Sequence, residues 1–168
     1  MPSPQRILGV DPGSQATGWA VVEPSPRLRR IESGVIRPGR GLALPERLLA
    51  IHEGLSGVIE RDAPTVMAIE DLFNAKNPRS ALVLGHARGA AMLAGARAGL
   101  AVHEYTPAEI KRALTGNGQA AKEQVRFMVM RLLGLREEPG LDESDALAVA
   151  LAHQSRSRFA AAGGGGMP

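Results

Sequence analysis

Four acids carry the chemistry open to this sequence: Asp11, Glu70, Asp142 and Asp145. Asp11 ends an apolar run, Ile7 to Val10, and Pro12, Gly13 and Ser14 then turn the chain into a second apolar run with Trp19 as a core side chain. Glu70 repeats the arrangement, standing at the exit of a short buried strand, Val66 to Ile69. Asp142 and Asp145, at i and i+3, share one face at the start of a helix, whereas Glu143 between them points away. Each acid also has an ordinary reading. Asp11 could cap its own turn, and negative charge at a helix N-terminus is favoured by about 0.3–1 kcal/mol. Together, four carboxylates in one pocket would repel unless cations lay between them, and oxygen-only ligands select hard ions, Mg²⁺ or Mn²⁺ rather than zinc. Two such ions, bridged by Asp11 and balanced by four negative charges, would suit phosphodiester hydrolysis.

Positioning four acids requires a sheet and helices in a particular order. Leu28 to Ile36 reads as a third strand completing an antiparallel meander, and Leu44, Leu48, Ile51, Leu55 and Ile59 mark an amphipathic helix that Pro64 ends. Ser80 to Gly99 is an Ala-rich helix whose interior Gly85, Gly89 and Gly95 each cost about 1 kcal/mol relative to Ala. Close packing, within the chain or at a subunit interface, would offset that. A strand from Leu100 to Tyr105 leads into Thr106, Pro107 and Glu109, a capping box opening a helix to Thr115. Helices over Lys122 to Leu133 and Asp142 to His153 complete an α/β pattern in which Asp11 and Glu70 leave neighbouring strands at one sheet edge. The Ser/Arg mix after Gln154 and the run Gly163 to Gly166 predict a disordered tail, giving a domain over 1–154 and a tail over 155–168.

The chain of 168 residues is one domain's worth, and the absence of Cys removes disulfides and thiolate metal sites. No signal peptide or membrane-spanning run is evident, which predicts a cytoplasmic protein. Net charge is +3; with four of the 17 acids drawn into one site, 20 basic side chains face 13 acidic ones, or +7, a footprint suited to nucleic acid or a plain compositional bias toward Arg. Phe73, an aromatic in the polar loop from Asp71 to Pro78, has little core to join and fits a base-stacking or wedge role. His52, His86, His103 and His153 show no ligand spacing and read as surface or local structure.

Gly9-Val10-Asp11-Pro12-Gly13-Ser14 with Thr17-Gly18, Ala68 to Phe73 followed by Ala75-Lys76-Asn77, Ala87-Arg88-Gly89, and Asp142 to Ala148 resemble the RuvC-type Holliday-junction resolvases, over nearly everything from Ile7 to His153. The resemblance implies an RNase H-like mixed sheet flanked by helices and a homodimer. It further implies Mg²⁺-dependent paired nicking of four-way DNA junctions and cooperation with the RuvA and RuvB branch-migration machinery. It assigns Asp11, Glu70, Asp142 and Asp145 to the metal site and Phe73, Lys76, Arg88, Lys111 and Lys122 to DNA, with Lys122 and Lys111 near the scissile phosphate. Some similar proteins have His where Asp142 stands. Actin-like kinases share an Asp-x-Gly-Ser turn, but they need a second such domain, for which this chain has no room. A single-strand nuclease of the same fold and a non-catalytic junction binder are the other readings. Intact acids at all four positions argue against the binder, because negative charge near phosphate weakens binding.

Overall fold

The computed structural model describes residues 5–71 and 76–163. Strands β1 (Ile7–Asp11), β2 (Thr17–Glu23), β3 (Arg29–Ile36), β4 (Val66–Glu70) and β5 (Ala101–Tyr105) form one sheet in the order β3-β2-β1-β4-β5. The first three strands are the antiparallel meander, and β4 and β5 join parallel to β1. This is the expected mixed sheet.

The central strands are buried along nearly their whole length, with apolar side chains on both faces and polar ones only at strand ends, because both faces are covered. Leu8, Val10, Trp19, Val21, Met67 and Ile69 point to one side, against α1 (Leu44–Asp62) and α2 (Pro78–Arg97). Alternate residues, Ile7, Ala20, Val22, Val66 and Ala68, point to the other, against α3 (Pro107–Thr115), α4 (Lys122–Leu133) and α5 (Leu141–Gly163). The second face is built small. Ala146, Ala148, Ala150 and Ala152 of α5 lie over it, and a Cβ added at Gly9 would stand 2.2 Å from the carbonyl oxygen of Ala146. That steric requirement lets α5 lie against the sheet backbone.

Two expectations change. The chain does not lose its structure after Gln154: α5 continues to Gly163. An existing helix extends at little cost through Arg and Ala, because the nucleation penalty is already met. Arg156 adds tertiary anchorage, lying 5.7 Å from the Tyr105 ring centroid and 3.6 Å from Glu109. Among the described residues, Gly95 alone of the three interior glycines of α2 has a packing reason, since a Cβ there would meet Met67 at 2.9 Å, whereas at Gly85 and Gly89 it would meet no described atom within 4 Å.

His153 is buried at 6% exposure, with Nδ1 2.7 Å from the Tyr105 hydroxyl. Burial, with His103 and Arg156 nearby, holds its pKa down at about 4. The unfolded chain therefore binds a proton that the folded chain refuses between about pH 6.5 and 4, and stability falls as pH drops through that window by up to about 1.4 kcal/mol per unit from this group. His153→Gln, which keeps a partner for Tyr105, should flatten that acid limb in urea midpoints measured from neutral to mildly acidic pH.

Candidate active site

The parallel register of β1 and β4 pairs Val10 with Ile69, so Asp11 and Glu70 emerge side by side at the carboxyl ends of the two central strands. The turn after β1 is closed by Thr17, whose buried hydroxyl donates to the Gly13 carbonyl at 2.8 Å and accepts from the Gly13 amide at 3.3 Å. With the turn closed in this way, the carboxyl of Asp11 is left for the pocket rather than for capping.

Gly18, paired with Asp11 across the β1/β2 ladder, admits the first turn of α5. A Cβ at Gly18 would lie 2.1 Å from the Asp142 carbonyl oxygen. Asp142 and Asp145 are thereby delivered to the same cavity of about 450 Å³ as Asp11 and Glu70. Lys111 on α3 and Lys122 at the start of α4 line its opposite wall. The expected capping box fixes α3: Thr106 Oγ1 accepts from the Glu109 amide at 3.3 Å, and Glu109 Oε2 accepts from the Thr106 amide at 2.8 Å.

The electrostatics are those of crowded carboxylates. Burial, a hydrogen bond to Glu70 and the charges of Glu70, Asp145 and Asp142 push Asp11 up to about 9. Burial likewise raises Glu70 and Asp145, with Lys122 opposing the rise in both. This crowding favours a shared proton over two bare carboxylates at Asp11 and Glu70. Asp142 is drawn toward Arg37, whose Nη2 lies 3.3 Å from Oδ2. Among the described residues no three His, Asp or Glu side chains stand at ligating separation; Asp11 and Glu70 are paired to each other and Asp142 is turned to Arg37. The donor set itself, four carboxylates with two lysines behind them and no sulfur or imidazole in the lining, suits hard divalent ions.

The remaining expected site residues divide. Glu143 does not line the cavity, consistent with its expected direction. Lys76 is exposed ahead of α2 and also lies outside that lining. Arg88 is committed to Asp71 at 3.2 Å and Glu104 at 2.7 Å, so it ties α2 to the strand ends. Two carboxylates at that range leave it little charge to offer DNA. Phe73 lies outside the described residues. Arg37, not singled out from the sequence, belongs beside the site. The signal was present in the register: Ile36 pairs with Thr17, so the next residue of the meander emerges at the Asp11 end of the sheet.

The family model described as "Crossover junction endodeoxyribonuclease RuvC" matches residues 7–153. A curated relative of that name from Stutzerimonas stutzeri is 53% identical over 148 residues, covering 88% of this chain and 84% of its own. Thermus thermophilus RuvC, 34% identical, superposes with a TM-score of 0.84, covering 93% of this chain and 97% of its own. The same protein solved in complex with a Holliday junction substrate superposes with a TM-score of 0.87, covering 93% and 96%. The yeast mitochondrial Holliday junction resolvase Ydc2, at 15% identity and a TM-score of 0.64, shares the fold. By the family model and by these relatives, this chain belongs to the RuvC family of crossover junction endodeoxyribonucleases.

Proposed function

We propose that this chain resolves four-way DNA junctions by paired, symmetric nicks, with Mg²⁺ as the working ion and Mn²⁺ able to substitute, two ions per site. The observation that carries the reading is the convergence of Asp11, Glu70, Asp142 and Asp145, from two strands and a helix, on one cavity walled by Lys111 and Lys122. These four carboxylates would hold the metal. Bound divalent ions supply an activated water and charge on the leaving oxygen. The chain's own contribution is orientation. Rigid strand ends fix Asp11 and Glu70, the Gly18 contact fixes Asp142 and Asp145, and the two lysines hold the phosphate against a wall that would otherwise repel it. Phe73 would act on bases near the crossover.

The test is cleavage of a synthetic mobile four-way junction against linear duplex and single strand of the same sequence, with Mg²⁺, Mn²⁺ or EDTA. Symmetric nicks confined to the junction and lost in EDTA are expected. Cutting of single strands instead would make the protein a general nuclease, and tight binding without cutting would make it a non-catalytic module.

Two equivalent cuts call for two equivalent sites, and an isologous homodimer supplies them. The exposed stripe of α2 supports this: Leu82 and Leu93 are 65% and 53% exposed, and Gly85 and Gly89 lie between them with open space above. Backbone-close pairing of this stripe with a second copy would account for helix-interior glycines that no packing among the described residues explains. Gly89→Arg, whose Cβ meets no described atom within 4 Å, should leave the melting temperature within a few degrees while converting the dimer to monomer in sedimentation. Handing of the junction from RuvA and RuvB, and action in the cytoplasm, complete the proposal; no helix among the described residues is long and apolar enough to cross a membrane.

A further inference from the structure

A second cavity, of about 600 Å³, adjoins the acid pocket, and Ala16 lines both. Its chemistry is the reverse of its neighbour's. Arg37, Arg40 and Arg47 line it together with the Gly39-to-Gly41 turn, and no carboxylate does. Arg37 reaches across the boundary to Asp142 at 3.3 Å while remaining 64% exposed. Arg47 Nη1 donates to Ser14 Oγ at 3.4 Å, and its Nε is enclosed without a hydrogen-bond partner. Glu46, next to Arg47 in sequence, is engaged as a helix cap, its Oε2 accepting from the Ala43 amide at 2.8 Å. Three guanidinium groups on one cavity, only Arg37 of them paired with a carboxylate and Arg47 with an idle N–H, favour an anion with several acceptor oxygens.

We propose that Arg37, Arg40 and Arg47 form a second phosphate seat, which takes a backbone phosphate of the DNA strand beyond the one presented to the four acids, Arg37 passing from Asp142 to that phosphate as DNA binds. The inference rests on the nuclease reading above. It gives the basic surface a direction, since a strand crossing the acid pocket would continue toward β3 and the start of α1. It also gives the Arg37–Asp142 contact a purpose, for it occupies both groups until substrate and metal separate them.

The measurement is junction affinity as a function of NaCl in the non-cleaving Asp11→Asn background. Each phosphate contact contributes a slope of about −0.9 in the logarithm of affinity against the logarithm of salt. Arg40→Gln and Arg47→Gln should each shallow the slope by part of one unit, and the triple variant with Arg37→Gln, which empties the seat, by about 1. Arg30→Gln, at the far end of β3, removes the same charge and should leave it unchanged. Arg47→Lys, which keeps a charge, should retain most of the slope and guards against a glutamine variant that fails to fold. Equal slopes in parent and triple variant, or an equal loss in Arg30→Gln, would overturn the seat while leaving the nuclease reading standing. Absence of junction binding and nicking by the unmodified protein would instead remove the nuclease reading itself.

Discussion

Asp11→Asn is expected to lose junction nicking by about 10³-fold or more, because it removes the proposed central metal ligand, yet to bind the junction as tightly as the parent and to melt at a higher temperature. The gain in stability follows from the same pocket that makes the residue useful. Burial and three neighbouring acids hold the Asp11 carboxyl at about 9. A carboxyl raised above its unfolded value stabilises the fold fully only at low pH, and the contribution is lost as pH climbs toward that raised value. The parent therefore carries a growing electrostatic penalty from about pH 4 upward, which the neutral amide does not. At about pH 8 the variant should melt several degrees higher, using about 2–4 °C per kcal/mol for a chain of this size, and the two curves should converge near pH 4. Mg²⁺ should raise the parent's melting temperature and move the variant much less, a readout of metal binding that needs no DNA. Nicking retained in Asp11→Asn, or junction binding lost along with it, would remove Asp11 from the metal site.

Gly18→Val loses both activity and stability. A Cβ at Gly18 runs into the carbonyl oxygen of Asp142 at 2.1 Å, and backbone cannot rotate aside as a flexible side chain can. Overpacking of this kind costs about 1–3 kcal/mol, or roughly 3–10 °C in melting temperature here. The first turn of α5 must lift from β2, carrying Asp142 and Asp145 away from Asp11 and Glu70. A displacement of about 1 Å in such a constellation lowers the rate about 10²-fold. Junction binding through Lys111, Lys122 and the arginine cavity should survive, since those residues are carried by α3, α4, α1 and the turn after β3 rather than by α5 itself. Nicking at the parent's rate in a folded Gly18→Val protein would show that this contact does not place the helix acids.

The four acids, the meander, the following α/β alternation and the capping box at Thr106 were all legible in the amino-acid order. Those features are local: period-two and period-3.6 patterning, turn residues, and acids at the last position of apolar runs. Trp19 as core was readable for the same reason. The extension of α5 to Gly163 was not, because Ser and Arg in a tail read as unstructured until Tyr105 and Glu109 are known to lie where Arg156 can reach them. Nor was the commitment of Arg88 to Asp71 and Glu104, a meeting of three elements distant in sequence. The position of Arg37 against Asp142, 105 residues away, likewise depends on how the meander's end and the start of α5 are brought to one sheet edge. Sequence alone determined which residues could do the chemistry. Tertiary structure decided which of them are free to do it, because charge is neutralised and helices are seated by neighbours that spacing along the chain does not reveal.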